Sequence, residues 1–158
     1  MFVDQILAVN ECGGDAPAEK LGLGGGRRLS ERQARGYARA LYFYGRVLAG
    51  GDRLAEANAA AAEGGSGSTR DDLENARKYE LAALKIRRRV YRPRIMLFAY
   101  NCDSLAVVCE ALNKLEDAKV FSEEAWAIQQ ERHGDGTGSI RANYERIKEK
   151  CSAVSEAL

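Results

Sequence analysis

The stretch "LENARKYELAALKI" at residues 73–86 recurs in altered form as "LEDAKVFSEEAWAI" at residues 115–128. The two stretches place small and large side chains at the same positions, with an offset of 42 residues. The matched pairs are Leu73 and Leu115, Glu74 and Glu116, Ala76 and Ala118, Tyr79 and Phe121, Ala83 and Ala125, and Ile86 and Ile128. A repeat of this length is typical of stacked helix pairs, because one pair cannot bury its apolar face alone. The same offset relates Asn101 to Asn143 and Leu105 to Ile147.

The composition favours an all-α chain. The 158 residues suit one domain, and 30% of them are charged while 46% are apolar. There are only two prolines among much Ala, Leu, Glu, Lys and Arg, which favours helix over sheet. The net charge is +1, so no overall charge attracts the chain to nucleic acid or to an anionic membrane. We predict a short solenoid of antiparallel helix pairs that ends in a C-terminal capping helix.

No pattern of catalytic or metal-binding residues emerges from the sequence. The four cysteines have no metal-ligand spacing, and the only histidine is His133. We therefore expect free thiols in the cytoplasm or another reducing intracellular compartment, without a cofactor. The N-terminal apolar run has no basic region before it, and no apolar run is long enough to cross a bilayer. The sequence predicts no secretory signal, no transmembrane segment and no enzymatic activity.

Local signals predict where the helices begin and end. Ser30 with Gln33 three residues later forms a capping-box pattern, and Gly50 with Gly51 suits the end of that helix. Further helices are predicted at about 70–91, 94–112, 115–132 and 138–156. The helical domain would then span 30–158, with an insertion at about 51–69 whose second half has linker composition. Residues 1–29 are predicted to be an N-terminal arm, apolar at its start and rich in glycine after that.

Small residues at helical spacing resemble those of the tetratricopeptide repeat family. Cys102, Leu105, Ala106 and Cys109 match the first helix of a pair, and Ala118 with Ala125 match the second helix. In the preceding repeat the matches are Leu41, Tyr44, Gly45 and Leu48, followed by Ala76 and Ala83. Gly45 precedes Ala106 by 61 residues, and the excess of 19 over the repeat period equals the length of the 51–69 insertion. The 42-residue period, with "LAVVCEALNKLEDAKVFSEEAWAIQQERHGDG" at 105–136, is similar to the kinesin light chain subtype.

This resemblance implies a protein–protein interaction module. In the family, first-helix side chains line a groove, and the corresponding residues here are Arg39, Tyr42, Arg46, Tyr100, Asp103, Val107 and Glu110, followed by Glu145, Glu149 and Ser152 in the last helix. The expected function is that of an adaptor or scaffold subunit of a multiprotein complex, which binds other proteins through this groove and the N-terminal arm. The groove would be basic and aromatic at one end and acidic at the other.

The densest run of charge is "KIRRRVYRPR" at residues 85–94. Its cations are Lys85, Arg87, Arg88, Arg89, Arg92 and Arg94. One interpretation is a basic anchor for RNA or an acidic partner, which would make the chain an accessory subunit associated with nucleic acid. The other interpretation is that these cations stabilise the C-terminal end of their helix.

Overall fold

The computed structural model describes residues 30–50, 70–91, 95–134 and 138–156. These residues form five α-helices: α1 (Glu31–Leu48), α2 (Arg70–Val90), α3 (Met96–Ala111), α4 (Leu115–His133) and α5 (Ser139–Glu156). The described ranges contain no β-strand, so the prediction of an all-α chain is confirmed. Each helix begins and ends within two residues of its predicted position. The predicted arm at 1–29 and the predicted insertion at 51–69 lie outside the described residues.

The caps of the helices explain these boundaries. The backbone N–H of Gln33 donates to the Ser30 hydroxyl at 3.3 Å, and the backbone N–H of Ser30 donates to Gln33 Oε1 at 2.9 Å. This capping box satisfies donors that an isolated helix start would leave unpaired. Gly134 follows α4 with a φ of 66°, a left-handed conformation that glycine adopts without steric cost.

The helices pack on their neighbours in chain order, and α3 also contacts α5. The largest core cluster lies mainly between α3 and α4, where Leu105, Phe121 and Ile128 are fully buried. The small repeat residues are buried as well: Ala76, Ala83, Ala118 and Ala125 have no exposed surface. Small side chains at these positions let helix backbones approach closely. The repeat in the sequence is therefore a packing constraint.

Gly45 marks a close approach between α1 and α2. A Cβ atom built at Gly45 would lie 2.6 Å from Glu80 Cγ and 3.1 Å from the Ala76 carbonyl oxygen. The corresponding residue of α3, Ala106, is fully buried. The corresponding residue of α5 is the exposed Lys148. Helix α5 thus turns a charged side chain outward at the position where α1 and α3 need a small one.

Every helix in the described part of the chain is too short or too polar to cross a lipid bilayer. Within the same residues, no three His, Cys, Asp or Glu side chains cluster closely enough to hold a metal ion.

Candidate functional site

Side chains of α1, α3 and α5 meet around Asp103. Asn143 Nδ2 of α5 donates to Asp103 Oδ1 at 3.0 Å. Burial raises the pKa of Asp103, while the Asn143 hydrogen bond and the positive charges of Arg146 and Arg46 lower it; burial prevails, so the pKa lies above its usual range. The two arginines belong to α5 and α1 respectively. The first, third and fifth helices therefore share one polar face, which we call the odd-helix face.

Glu110 attaches α5 to α3 on the same face. The Glu110 side chain is only 8% exposed and accepts from Arg146 Nη2 at 2.7 Å and from Arg146 Nε at 3.2 Å. Lys150 Nζ forms a second ion pair with it. Burial raises the pKa of Glu110, but the hydrogen bonds from Arg146 and Lys150 outweigh burial, and the pKa falls below its usual value. The groove end that we expected to be acidic therefore has cations paired with its carboxylate.

The predicted groove residues divide into buried and accessible groups. Tyr42 and Val107 are only 7% and 8% exposed, which corrects the expectation that they line an open groove. Tyr42 lies under the Arg87 guanidinium, 4.5 Å from ring centroid to Cζ, and Val107 packs in a cluster with Leu73 and Leu112. Arg39 is exposed, and Tyr100 is 48% exposed. The accessible part of the face is thus centred on Arg39 and Tyr100, with the partly buried Arg46 and Asp103 beside them.

The sequence prediction missed a buried carboxyl group beneath this face. Glu80 of α2 has no exposed surface, and the Ser104 hydroxyl of α3 donates to its Oε1 at 2.8 Å. Oε2 has no hydrogen-bond partner. Burial raises the pKa of Glu80 to about 8, although the Ser104 hydrogen bond, Arg46 and Arg87 oppose that rise. Glu80 is four residues from Ala76 and four from Leu84, and this is the spacing of residues on one buried helix face. That spacing is the one sequence signal that could have indicated that Glu80 is buried.

The basic run at 85–94 does not form one exposed surface. Arg87 is only 4% exposed, and its Nη1 donates to the Leu97 carbonyl at 2.8 Å. Arg88 lies over the Phe98 ring at 5.2 Å, and Lys85 is half-buried. Arg89 is exposed, while Arg92 and Arg94 lie outside the described residues. The prediction of one basic anchor therefore fails for Arg87, because the packing of α2 against α1 and α3 encloses this side chain.

The remaining groups of chemical interest lie in the core or near it. Burial raises the pKa of the Cys109 thiol to about 11 and that of the Cys102 thiol well above its usual value, which keeps both sulfurs protonated. Trp126 is partly buried and stacks on the Tyr144 ring of α5 with centroids 5.9 Å apart. His133 is the exposed last residue of α4. The positions of Cys102, Cys109 and Trp126 therefore indicate roles in packing.

The Arg146 ion pair gives a testable measure of how α5 is held. Replacing Arg146 with alanine leaves the mostly buried Glu110 carboxylate with one cationic partner, so we expect the free energy of unfolding to fall by about 1–1.5 kcal/mol. Arg141→Ala is a matched control on the same helix, because its ion pair with Glu145 joins two exposed side chains. The Arg141→Ala control should lower the free energy of unfolding by no more than about 0.5 kcal/mol. Urea unfolding followed by circular dichroism measures both values, and equal losses would contradict this role of Glu110.

No family model matches this sequence, and comparisons with curated proteins and with solved structures find no significant match. The functional proposal therefore depends on the contacts of the chain itself.

Proposed function

We propose that this chain is a short solenoid of tetratricopeptide-like helix pairs that acts as an adaptor or scaffold subunit of a multiprotein complex, and not as an enzyme. The pattern of helix contacts supports this architecture. Helices α1 and α2 contact each other, as do α3 and α4, while α2 contacts α3 and α4 contacts α5. The further contact of α3 with α5 is expected when the first helices of successive pairs lie side by side. Helix α5 would be the unpaired capping helix.

The observation that carries the proposal is the odd-helix face. Asn143 of α5 donates to the Asp103 carboxyl of α3, and Arg46 of α1 and Arg146 of α5 lie near enough for their charges to lower its pKa. Such a surface spans several structural elements and suits an extended segment of another protein. Tyr100 adds a ring that is 48% exposed, and aromatic residues with arginines are the commonest anchors at protein interfaces.

The chemistry of this face favours a protein segment with acidic and apolar side chains. Arg39 and Arg46 provide positive charge on α1, and Tyr100 provides apolar contact area on α3. Asp103 and Glu110 are engaged by Asn143, Arg146 and Lys150 within the chain, so they add little net negative charge. Nucleic acid is the less favoured partner, because Arg87 of the basic run is used for internal contacts and the net charge is only +1.

A binding experiment with matched variants tests this proposal. Affinity purification from the native source with mass spectrometry would identify a partner, whose dissociation constant is then measured with purified proteins. Tyr100→Ala should weaken binding at least about tenfold, which is the loss of an interface anchor worth about 1.4 kcal/mol. Val154→Ala is the control, because Val154 is 49% exposed near the end of α5 and away from the proposed face. We expect this control to bind within about twofold of wild type.

Two results would contradict the proposal. Equal dissociation constants for the wild type and Tyr100→Ala would show that the partner does not bind at the odd-helix face. A nuclease-sensitive complex whose affinity falls steeply with salt would show that the partner is a nucleic acid.

A further inference from the structure

Helix α1 has a second, mostly apolar line of side chains that the other described helices leave largely exposed, although Tyr44 in this line meets the Tyr79 ring of α2 edge-on. Ala40, Phe43 and Val47 follow one another at intervals of three and four residues, so they lie along one side of the helix. Phe43 is 49% exposed and Val47 is 71% exposed, and the neighbouring Tyr44 is 50% exposed. We call these four residues the outer line of α1. A contiguous group of exposed, large apolar side chains is typical of a surface that contacts another apolar segment.

Helix α5, at the C-terminal end of the described helices, has a mostly polar exposed surface. Helix α5 turns Glu145, Lys148, Glu149 and Ser152 toward solvent. Within the described residues its only exposed large apolar side chain is Val154, in the last turn. Terminal helices of repeat stacks need a polar outer face, and α5 has one. The exposed side of α1 differs, because it is polar up to Arg39 and mostly apolar from Ala40 to Val47.

We propose that residues 1–12 of the same chain dock on the outer line of α1. Phe2, Ile6 and Val9 recur at intervals of four and three residues, which is the spacing of one apolar helix face. Ala40, Phe43 and Val47 follow the same kind of spacing on α1. Two helices with such apolar lines can pack their side chains between one another. Residues 1–12 would therefore serve as the N-terminal cap of the stack, as α5 does at the other end.

Charge complementarity supports this occupant. Residues 1–12 contain Asp4 and Glu11 and no lysine or arginine. Arg39 of α1 lies beside the outer line, whereas Arg35 of the same helix pairs with Glu31 and Arg46 acts on Asp103. The Arg39 guanidinium lies 5.7 Å from the centroid of the Phe43 ring, so positive charge borders the outer line. An acidic, amphipathic segment fits a surface of this composition.

The connecting length allows docking within one chain. Residues 13–29 separate the segment from Ser30 and are rich in glycine, and a flexible tether of this length has a mean span of roughly 23 Å. The distance along α1 from Ser30 to Val47 is about 25 Å. A tether that matches this distance gives a local concentration in the millimolar range. That concentration favours residues 1–12 of the same chain over a second copy.

Nuclear magnetic resonance on the full chain tests the proposal. A nitroxide is attached to Cys12 in a Cys151→Ser background; Cys102 and Cys109 are fully buried and therefore protected from labelling. We expect this nitroxide to broaden the amide signals of residues 40–48 in α1. We expect the broadening to fall severalfold in Val47→Asp, and the Cα shifts of residues 2–10 to change from helical to random-coil values. Val47 is 71% exposed, so this variant should keep the fold. Val154→Asp is the matched control on α5 and should leave the broadening unchanged.

A mixed sample distinguishes the other occupants. It contains unlabelled chains with the nitroxide and isotope-labelled chains without it, and we expect no broadening of α1 there. Broadening in this mixture would mean that a second copy supplies the segment, and it would overturn the proposal. Two further results would overturn the proposal: random-coil shifts for residues 2–10 in the wild-type chain, or equal broadening in the wild type and in Val47→Asp. Either result would mean that a different protein covers the outer line.

Discussion

Replacing Glu80 with glutamine is expected to stabilise the protein increasingly as the pH rises, by about 4 kcal/mol more at pH 8.5 than at pH 5. Burial raises the pKa of Glu80 from 4.5 to about 8 in the folded chain. Below pH 4.5 the carboxyl is protonated in both the folded and the unfolded states, so it has no effect on the pH dependence of stability. Between pH 4.5 and pH 8 the unfolded chain releases this proton while the folded chain keeps it. The wild-type stability therefore falls through that window.

Several charged or titratable groups face Glu80, and all of them are retained in the variant. Tyr42 and Arg46 approach from α1, Arg87 lies on α2 itself, and Asp103 lies on α3. Glutamine keeps an oxygen that can accept from the Ser104 hydroxyl, and it has no charge to bury. Urea unfolding at pH 5, 7 and 8.5, followed by circular dichroism, gives the free energy of unfolding for each protein.

Glu110→Gln is the matched control for this experiment. The Arg146 and Lys150 hydrogen bonds outweigh burial and lower the pKa of Glu110, so its titration lies below pH 4.5. Its stabilising contribution is lost only as the pH falls through that lower pKa. The free energy of unfolding of this control should therefore differ from that of the wild type by the same amount at pH 7 and at pH 8.5. A Glu80→Gln effect that is also constant over this range would show that Glu80 is already ionised in the folded chain.

The second large effect is expected from alanine substitutions at two glycines of α1. Gly45→Ala should lower the free energy of unfolding by about 2 kcal/mol, while Gly36→Ala should raise it by up to about 1 kcal/mol. A Cβ atom at Gly45 would meet Glu80 Cγ at 2.6 Å and the Ala76 carbonyl at 3.1 Å, and neither can move easily because Glu80 is enclosed and Ala76 is part of α2. Gly36 has no such neighbour within 4 Å.

The comparison is informative because both changes add the same methyl group to the same helix. Alanine favours helix over glycine at each position, so opposite signs can come only from the packing of α1 on α2. Thermal and urea unfolding of the two variants measure the difference. If both variants were stabilised, α1 would not approach α2 as closely as the structure shows.

The sequence predicted the helices well because helix signals are local. The Ser30 and Gln33 pair forms the expected capping box, and the alanines shared by "LENARKYELAALKI" and "LEDAKVFSEEAWAI" are fully buried. The candidate site was predicted less well. Arg39 and Tyr100 are accessible as expected, but Tyr42, Val107 and Arg87 are buried. Helical spacing indicates which side chains share a face, but the depth of that face depends on neighbouring helices.

The amino-acid sequence by itself therefore determined the class of this protein, the positions of its helices in the chain and the small residues at which they meet. These features follow from hydrophobic spacing and helix caps, which act over a few residues. Only the tertiary structure decided which polar groups are enclosed. Glu80 is buried because Gly45 of α1 lets α2 approach, and Ser104 of α3 donates a hydrogen bond to the enclosed carboxyl group. Burial of this kind requires groups from three helices far apart in the chain, and no local pattern encodes it.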